Sequence, residues 1–509
     1  MLPPSHPILS RDEAIAFETN FFRDNESREW AAMGRAGRAV ADGVLRDIRE
    51  IGGIRVGGRV LVLAGKGNNA GDALIAARAV LEQVPGASAD VVFVFGERAL
   101  RTLARRAWRE LLQAAPDRVK PLSIDAEIAA PSYDLCLDGV FGLQFRVPLE
   151  GRAAAALSWA NGLPIRLRAA VDLPSGLHDP AAFRADFTYA TGMVKSSLLK
   201  CANAGRLRYL DLGFFGLGSG GPDAPDRVLI PPILSELAAL RDSHTDKRTY
   251  GHLCVVAGSR GYPGAALMAV RAALRSGVGL VTAFVPESLV AAFAARAPEA
   301  MWVAWPETSA GGLARRGWRK LAPRFERATA VVAGPGLGRE PETLSLLAEL
   351  VKSLPGPVLL DADALQPAVL KAARVSAKAS PALVLTPHAG EYARIGGGDD
   401  LPGFCAKRKA TVVLKGPTTR ICRGEPPTIF HSIFGGPVLA RGGSGDILSG
   451  LVGGLLAQTP KDPLLAACRG AVWHGMAADA LARAHGQTSV NITQLLDFLP
   501  EVLRQEPVL

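Results

Sequence analysis

From residue 59 onward, short apolar runs alternate with segments of helical period. Arg59–Ala64 (RVLVLA) is apolar at almost every position, the pattern of a strand covered on both faces. Residues 72–84 follow, with Leu74, Ala77, Leu81 and Val84 on one helical face. Strands are predicted at 90–95, 133–138, 165–172 and 207–212, with a helix over 97–114. Residues 213–227 are rich in glycine and proline and read as a linker. A short helix over 231–240 and a polar run, 241–249, lead into a second alternating set. Its strands fall at 252–257, 279–285, 329–333, 357–361, 382–385 and 411–415, and its helices at 263–276, 446–456 and 463–485. Alternation of this kind predicts an α/β fold with mostly parallel sheets. The expected domains are 1–222 and 223–509.

Composition narrows the class. Hydrophobic residues make up 48% and charged residues 21% of 509, which excludes a disordered chain. The longest apolar stretches run about ten residues, half of what a membrane span needs. The first 13 residues carry prolines and polar groups rather than an apolar signal core, so a cytoplasmic address is expected. The net charge of +10 includes Arg98, Arg101, Arg105, Arg106 and Arg109 on one segment, which reads as a solvated helix face. No long basic stripe with interleaved aromatics accompanies them, so no nucleic-acid partner is expected. A mild positive field suits an anionic small molecule. The six cysteines lie far apart without a C-x-x-C pair and read as small buried hydrophobes. The histidines show no zinc-binding spacing.

Chemistry gathers at predicted strand ends, where open α/β sheets bind ligands. In the first half, Arg59–Ala64 runs into GKGNNAGD, a glycine-bearing loop opening a helix. Such a loop presents free N–H groups to an anion, but its spacing is neither a Walker loop nor G-x-G-x-x-G. Two further strands end on Asp138 (LDGVFG) and Asp172 (VDLPSG). In the second half the densest signal is ARGGSGD, residues 440–446. Small residues at a helix start let several amides face one point, with Asp446 placed to accept a hydroxyl proton during in-line transfer. GPGLG (334–338), LDADAL (360–365), LTPHAGE (385–391) and KGPTT (415–419) end other strands. Each alone reads equally well as an ordinary turn, and His388 as a capping residue.

AGKGNNAGDA, LDGVFG and AVDLPSGL resemble the NAD(P)H-hydrate epimerase family. The resemblance implies a Rossmann-like three-layer fold and interconversion of R and S hydrates. It implies a potassium ion held by Asn69, Asp138 and Ser175. Substrate would be lined by Asn68, Asn69, Ala70, Gly71, Asp72, Gly142, Arg146 and Asp172, with Asp172 moving a proton. The family usually has glycine where this chain has Ala70, Ala73 and Gln144. A positive φ at Ala70 would cost about 1 kcal/mol. The segments of the second half, over most of 249–485, resemble the ADP/ATP-dependent NAD(P)H-hydrate dehydratase family, of ribokinase-like fold. Ala265, Gly336, His388 and Asp446 would then contact the hydrated nucleotide. Lys415, Gly416, Pro417, Thr418, Thr419 and Gly445 would contact the adenine nucleotide, with Asp446 as general base. The implied partners are NAD(P)H hydrates, ADP as phosphoryl donor and magnesium, and a homo-oligomer is expected. A ribokinase-like small-molecule kinase with a non-catalytic N-terminal binding domain is the alternative.

Overall fold

Strand Arg59–Ala64 shows how the first half is built. Successive side chains of a strand point to opposite faces. Val60, Val62 and Ala64 enter one core with Val40 and Val44 of helix Glu26–Asp47, Leu74 and Ala77 of Asn68–Gln83, and Trp108 and Leu111 of Thr102–Ala114. Leu61 and Leu63 enter a second core with Ala153, Ala156 and Leu157 of helix Gly151–Gly162. Both faces are therefore covered, which is why the strand carries no polar alternation. The parallel sheet runs, edge to edge, Val119–Pro121, Ser88–Phe93, Arg59–Ala64, Tyr133–Gly139, Ile165–Val171, Phe187–Thr191 and Arg206–Leu210.

The structure, a computed structural model, describes residues 2–23, 25–124, 132–216, 220–354, 356–373 and 382–504. It divides into two compact units. One holds Pro7–Ala224 with Ala482–Gln487, and the other is built mainly from Pro225–Leu481 and the chain from Thr488 onward. The linker expected over 213–227 includes residues 217–219, which lie outside the described residues.

In the second unit the parallel order is Met301–Trp305, Leu280–Pro286, His252–Val256, Ala330–Ala333, Val358–Leu360, Leu383–Leu385 and Ala410–Leu414. Thr419–Cys422 and Ile429–Ser432 extend it antiparallel, and Asp226–Leu229 joins Ile429–Ser432 in parallel. Helices Pro263–Arg275 and Ser444–Gln458 pack face to face. Gly450 makes that approach possible, because a Cβ there would stand 2.0 Å from the carbonyl oxygen of Ala269.

The α/β expectation holds in both units. Its errors are local. The helix expected over 97–114 is broken: a 3-10 turn, Glu97–Ala99, is separated from Thr102–Ala114 by an extended Leu100. All five of its arginines are exposed. The helix expected from residue 72 starts at Asn68, because Gly67 is extended and the two asparagines already take helical geometry. The helix expected from 446 likewise starts at Ser444. The one expected over 231–240 is a 3-10 turn, Pro231–Leu234, and a single helical turn, Ser235–Ala238. All six cysteines are free and buried. No helix among the described residues is long and apolar enough to cross a membrane.

Candidate functional site

In the first unit, the carboxyl ends of three neighbouring strands open onto a cleft of about 550 Å³. Asn68, Asn69, Asp72, Gly142, Arg146 and Asp172 line it, together with Glu18, Lys66, Phe141, Gln144 and Thr191. Ala70 and Gly71 do not. Ala70 is fully buried, and a Cβ on Gly71 would meet Met33 Sδ at 2.4 Å. Ala70 sits within helix Asn68–Gln83 and is absent from the residues of positive φ, so the strain considered for it does not arise. Ala73 fills space against Gly139, where a Cβ would lie 2.5 Å from the Ala73 methyl and 2.7 Å from the Asn69 carbonyl. Strand end and helix start therefore touch at backbone distance.

Of the three expected ion ligands, Asp138 and Ser175 are hydrogen-bonded directly, and Asn69, which lines the cleft, is linked to Ser175 through the Phe141 backbone. Asp138 is fully buried. Its carboxylate accepts from the amides of Val140 at 3.2 Å and Ser175 at 2.7 Å, and from Ser175 Oγ at 2.6 Å. Ser175 Oγ accepts from the Phe141 amide at 2.8 Å, and Asn69 Nδ2 donates to the Phe141 carbonyl at 2.8 Å. No basic side chain among the described residues neutralises Asp138. Burial pushes it up to about 6, against the lowering effect of its hydrogen bonds.

Asp172 sits at φ 65° just past strand Ile165–Val171. It forms an ion pair with Lys195, which is 1% exposed, and accepts from the amide and hydroxyl of Thr191 at 3.2 and 3.1 Å. Asp72 is raised well above the usual carboxylate range by burial and by the charges of Asp172 and Glu18. Sequence reasoning missed Lys195 and Glu18. Neither belongs to a strand-end motif, and Lys195 lies on a strand of two residues.

The second unit assembles its chemistry around helix Ser444–Gln458. Gly443 precedes it at φ 95°, a conformation that favours glycine. A Cβ on Gly445 would stand 3.2 Å from Lys415 Nζ, so the ammonium faces the first turn of the helix, where free amides and the helix dipole favour an anion. Lys415 Nζ lies 3.0 Å from Asp361 Oδ1 and 3.9 Å from Glu391 Oε2. Burial alone would lower Lys415, but Asp361 and Glu391 leave it above its ordinary value. Ser449 holds the other Asp361 oxygen. Asp446, in the first turn, is pushed up to about 7 by burial and by the charge of Asp361, with Lys415 opposing.

The remaining expected residues take distinct places. Gly336, at φ 62°, abuts Ala265: a Cβ there would lie 2.8 Å from the Ala265 methyl. Gly338 donates to Asp363 at 3.0 Å. His388 caps helix Ala389–Arg394, its Nδ1 accepting from the amides of Gly390 at 3.0 Å and Glu391 at 3.3 Å, while its side chain stays 58% exposed. It bridges in parallel to Lys415. Gly416, Pro417 and Thr418 form the hairpin turn beyond Lys415, and Thr419 begins the antiparallel strand that follows. Asp361, Glu391 and Ser449 were not singled out beforehand, although the first two lie inside LDADAL and LTPHAGE.

Comparison with known proteins agrees with this division. The NAD(P)H-hydrate dehydratase family model matches residues 253–501, and the model of the YjeF-related protein N-terminus matches 30–197. The bifunctional NAD(P)H-hydrate repair enzyme Nnr of Moorella thermoacetica is 35% identical over 470 residues, 88% of this chain and 87% of the relative. Its counterpart in Gloeobacter violaceus is 34% identical over 504 residues, 94% of each. The solved ADP/ATP-dependent NAD(P)H-hydrate dehydratase from Bacillus subtilis, co-crystallized with ATP and Mg2+, is 30% identical with a TM-score of 0.45, covering 52% of this chain and 93% of that one. With the two family models matched over 30–197 and 253–501, and relatives 34–35% identical over most of its length, the chain belongs to the family of bifunctional NAD(P)H-hydrate repair enzymes.

Proposed function

We propose that residues 1–222 interconvert the R and S forms of hydrated NADH and NADPH, and that 223–509 dehydrate the S form at the expense of ADP. The observation that carries the second activity is Asp446 in the first turn of Ser444–Gln458, raised to about 7 beside the ammonium of Lys415. A general base is most effective with a value near the working pH. Asp446 takes the proton of the hydrate hydroxyl, and the oxygen bonds to the terminal phosphorus of ADP as its bridge to AMP breaks. Phosphate then leaves with the C–O bonding pair, and a proton lost from the neighbouring ring carbon restores the double bond. Lys415 and the helix amides hold the charge on the transferring group. Among the described residues no three His, Cys, Asp or Glu side chains form a metal cage. Magnesium, when bound with ADP, would neutralise part of the charge on the nucleotide phosphates.

Asn69, Asp138 and Ser175 supply oxygen donors, and the unneutralised buried Asp138 fits a monovalent cation such as potassium. When bound, that ion supplies a fixed positive charge under the cleft. Asp172, held by Lys195 and Thr191, is the residue placed to move a proton there. Six buried free thiols accord with a reducing, cytoplasmic setting.

The alternative kinase reading predicts a stable phosphorylated product. The test supplies purified R or S hydrate with ADP and follows the reduced-nicotinamide absorbance. Recovery from both forms, with AMP and phosphate released, is expected. Recovery from neither, with a stable phosphate ester formed instead, would favour the kinase.

A further inference from the structure

One wall of the N-terminal cleft comes from a segment that precedes residues 30–197, the stretch the family model matches. Ile8 and Leu9 pair in parallel with Val194 and Lys195. Ser10 then starts helix Arg11–Phe22 with a capping box closed by Glu13. Arg11 Nε donates to the Leu143 carbonyl at 2.6 Å and ties the helix to the loop edging the cleft. Two turns on, Glu18 lines the cleft with Asp72, Asp172 and Thr191. Among the described residues its carboxylate makes no hydrogen bond or ion pair.

The groups facing Glu18 come from four elements: Lys195 from Val194–Lys195, Asp172 from the end of Ile165–Val171, Asp72 from Asn68–Gln83 and Glu29 from Glu26–Asp47. Burial raises Glu18 to about 7. Lys195 opposes the rise, and Asp172 and Glu29 add to it. Of the carboxyls lining the cleft, Asp172 is paired with an ammonium, Asp72 is raised well above the usual carboxylate range, and Glu18 is raised to about 7. Pairs of acids whose surroundings differ in this way take the acid and base roles of a reaction.

The reaction needs both roles. Water adds to the enamine of a dihydronicotinamide at the carbon bonded to nitrogen, so the hydroxyl to be inverted sits beside the ring nitrogen. Inversion requires that hydroxyl to gain a proton and leave as water, the nitrogen lone pair forming an iminium. Water then bonds to the opposite face and gives up a proton. Nothing is oxidised, and one proton passes from an acid to a base.

We propose that Glu18 is a catalytic residue of the N-terminal site, the acid that protonates the departing hydroxyl, while Asp172 takes the proton of the water that returns. The inference rests on the epimerase reading above. The roles exchange in the reverse direction, and the proton returns between the two carboxyls through the open cleft.

The test compares Glu18→Gln and Glu18→Asp with the full-length wild type, using purified R hydrate and following its conversion to S without ADP. Glu18→Gln is expected to lower kcat by about 100-fold or more with KM unchanged. Wild-type kcat should fall as pH rises through about 7, where the acid loses its proton. Glu18→Gln should lack that limb, and Glu18→Asp should restore it with part of the rate. ADP-dependent dehydration of S hydrate, unchanged in both variants, reports an intact second unit. A wild-type kcat in Glu18→Gln would overturn the proposal, as would a loss that Glu18→Asp does not relieve. A wild type that cannot interconvert the hydrates at all would overturn the epimerase reading itself, and the proposal with it.

Discussion

Asp138 and Asp361 are the same residue type in nearly the same place. Each stands at the carboxyl end of a parallel strand, 0% and 1% exposed. Their neighbours differ. Asp361 has an ammonium 3.0 Å away and a serine on its second oxygen. Asp138 has amides and a hydroxyl but no basic partner among the described residues. Removing one member of a buried ion pair leaves an uncompensated charge, which is strongly destabilising. The second unit meets that requirement within its own chain, through Lys415. The first leaves it open, which suits an external cation. The same sheet position thus differs in one respect, whether a lysine reaches it, and on the reading proposed above that difference would suit phosphoryl transfer in one unit and a monovalent cation in the other.

The largest break in this comparison comes from Lys415→Met. It removes the cation facing the helix start and should lower ADP-dependent dehydration of S hydrate about 10²–10³-fold, as loss of one charge-stabilising donor does elsewhere. Epimerisation should not change, and steady-state assays of both reactions check it. A smaller effect is expected from Asp138→Asn. Replacing a buried carboxylate by a neutral amide should weaken potassium activation of epimerisation about 10–100-fold, read from a potassium titration. An unaltered titration would remove Asp138 from the ion site. The smallest effect is a displacement in pH. Asp446 must be ionised to act as a base, so dehydration should decline as pH falls through about 7. Asp361 raises Asp446, so Asp361→Asn should move that decline to lower pH. A decline in wild type centred near the ordinary aspartate range would show that burial does not control Asp446.

What the sequence disclosed, and what it hid, follows the same division. Strand-end motifs were legible because glycine turns, an acid and a helix start lie within a few residues of one another. GKGNNAGD and GGSGD were visible for that reason, as was the α/β class, since strands covered on both faces read as unbroken apolar runs. Partners that arrive through tertiary pairing were not legible. Lys195 reaches Asp172 across 23 positions, and Asp361 meets Lys415 across 54. Glu18 sits on a helix with little amphipathic pattern, placed by tertiary contacts such as the pairing of Leu9 with Lys195 and the Arg11–Leu143 hydrogen bond. Short strands such as Phe187–Thr191 and Ile429–Ser432 also escaped, because four or five residues give too little period to separate from loop. Ala70 shows the converse. A departure from the family's glycine looked costly in sequence, yet the helix begins early enough to hold it at ordinary geometry.

The central claim is that proton removal by Asp446 drives dehydration alone, independently of the cleft in the other unit. Asp446→Asn, given a mixture of R and S hydrates with ADP and magnesium, tests it directly when the two hydrates and reduced nucleotide are resolved by chromatography. The account predicts no recovery of reduced nucleotide while R and S continue to interconvert at the wild-type rate. Recovery of reduced nucleotide near the wild-type rate would contradict it.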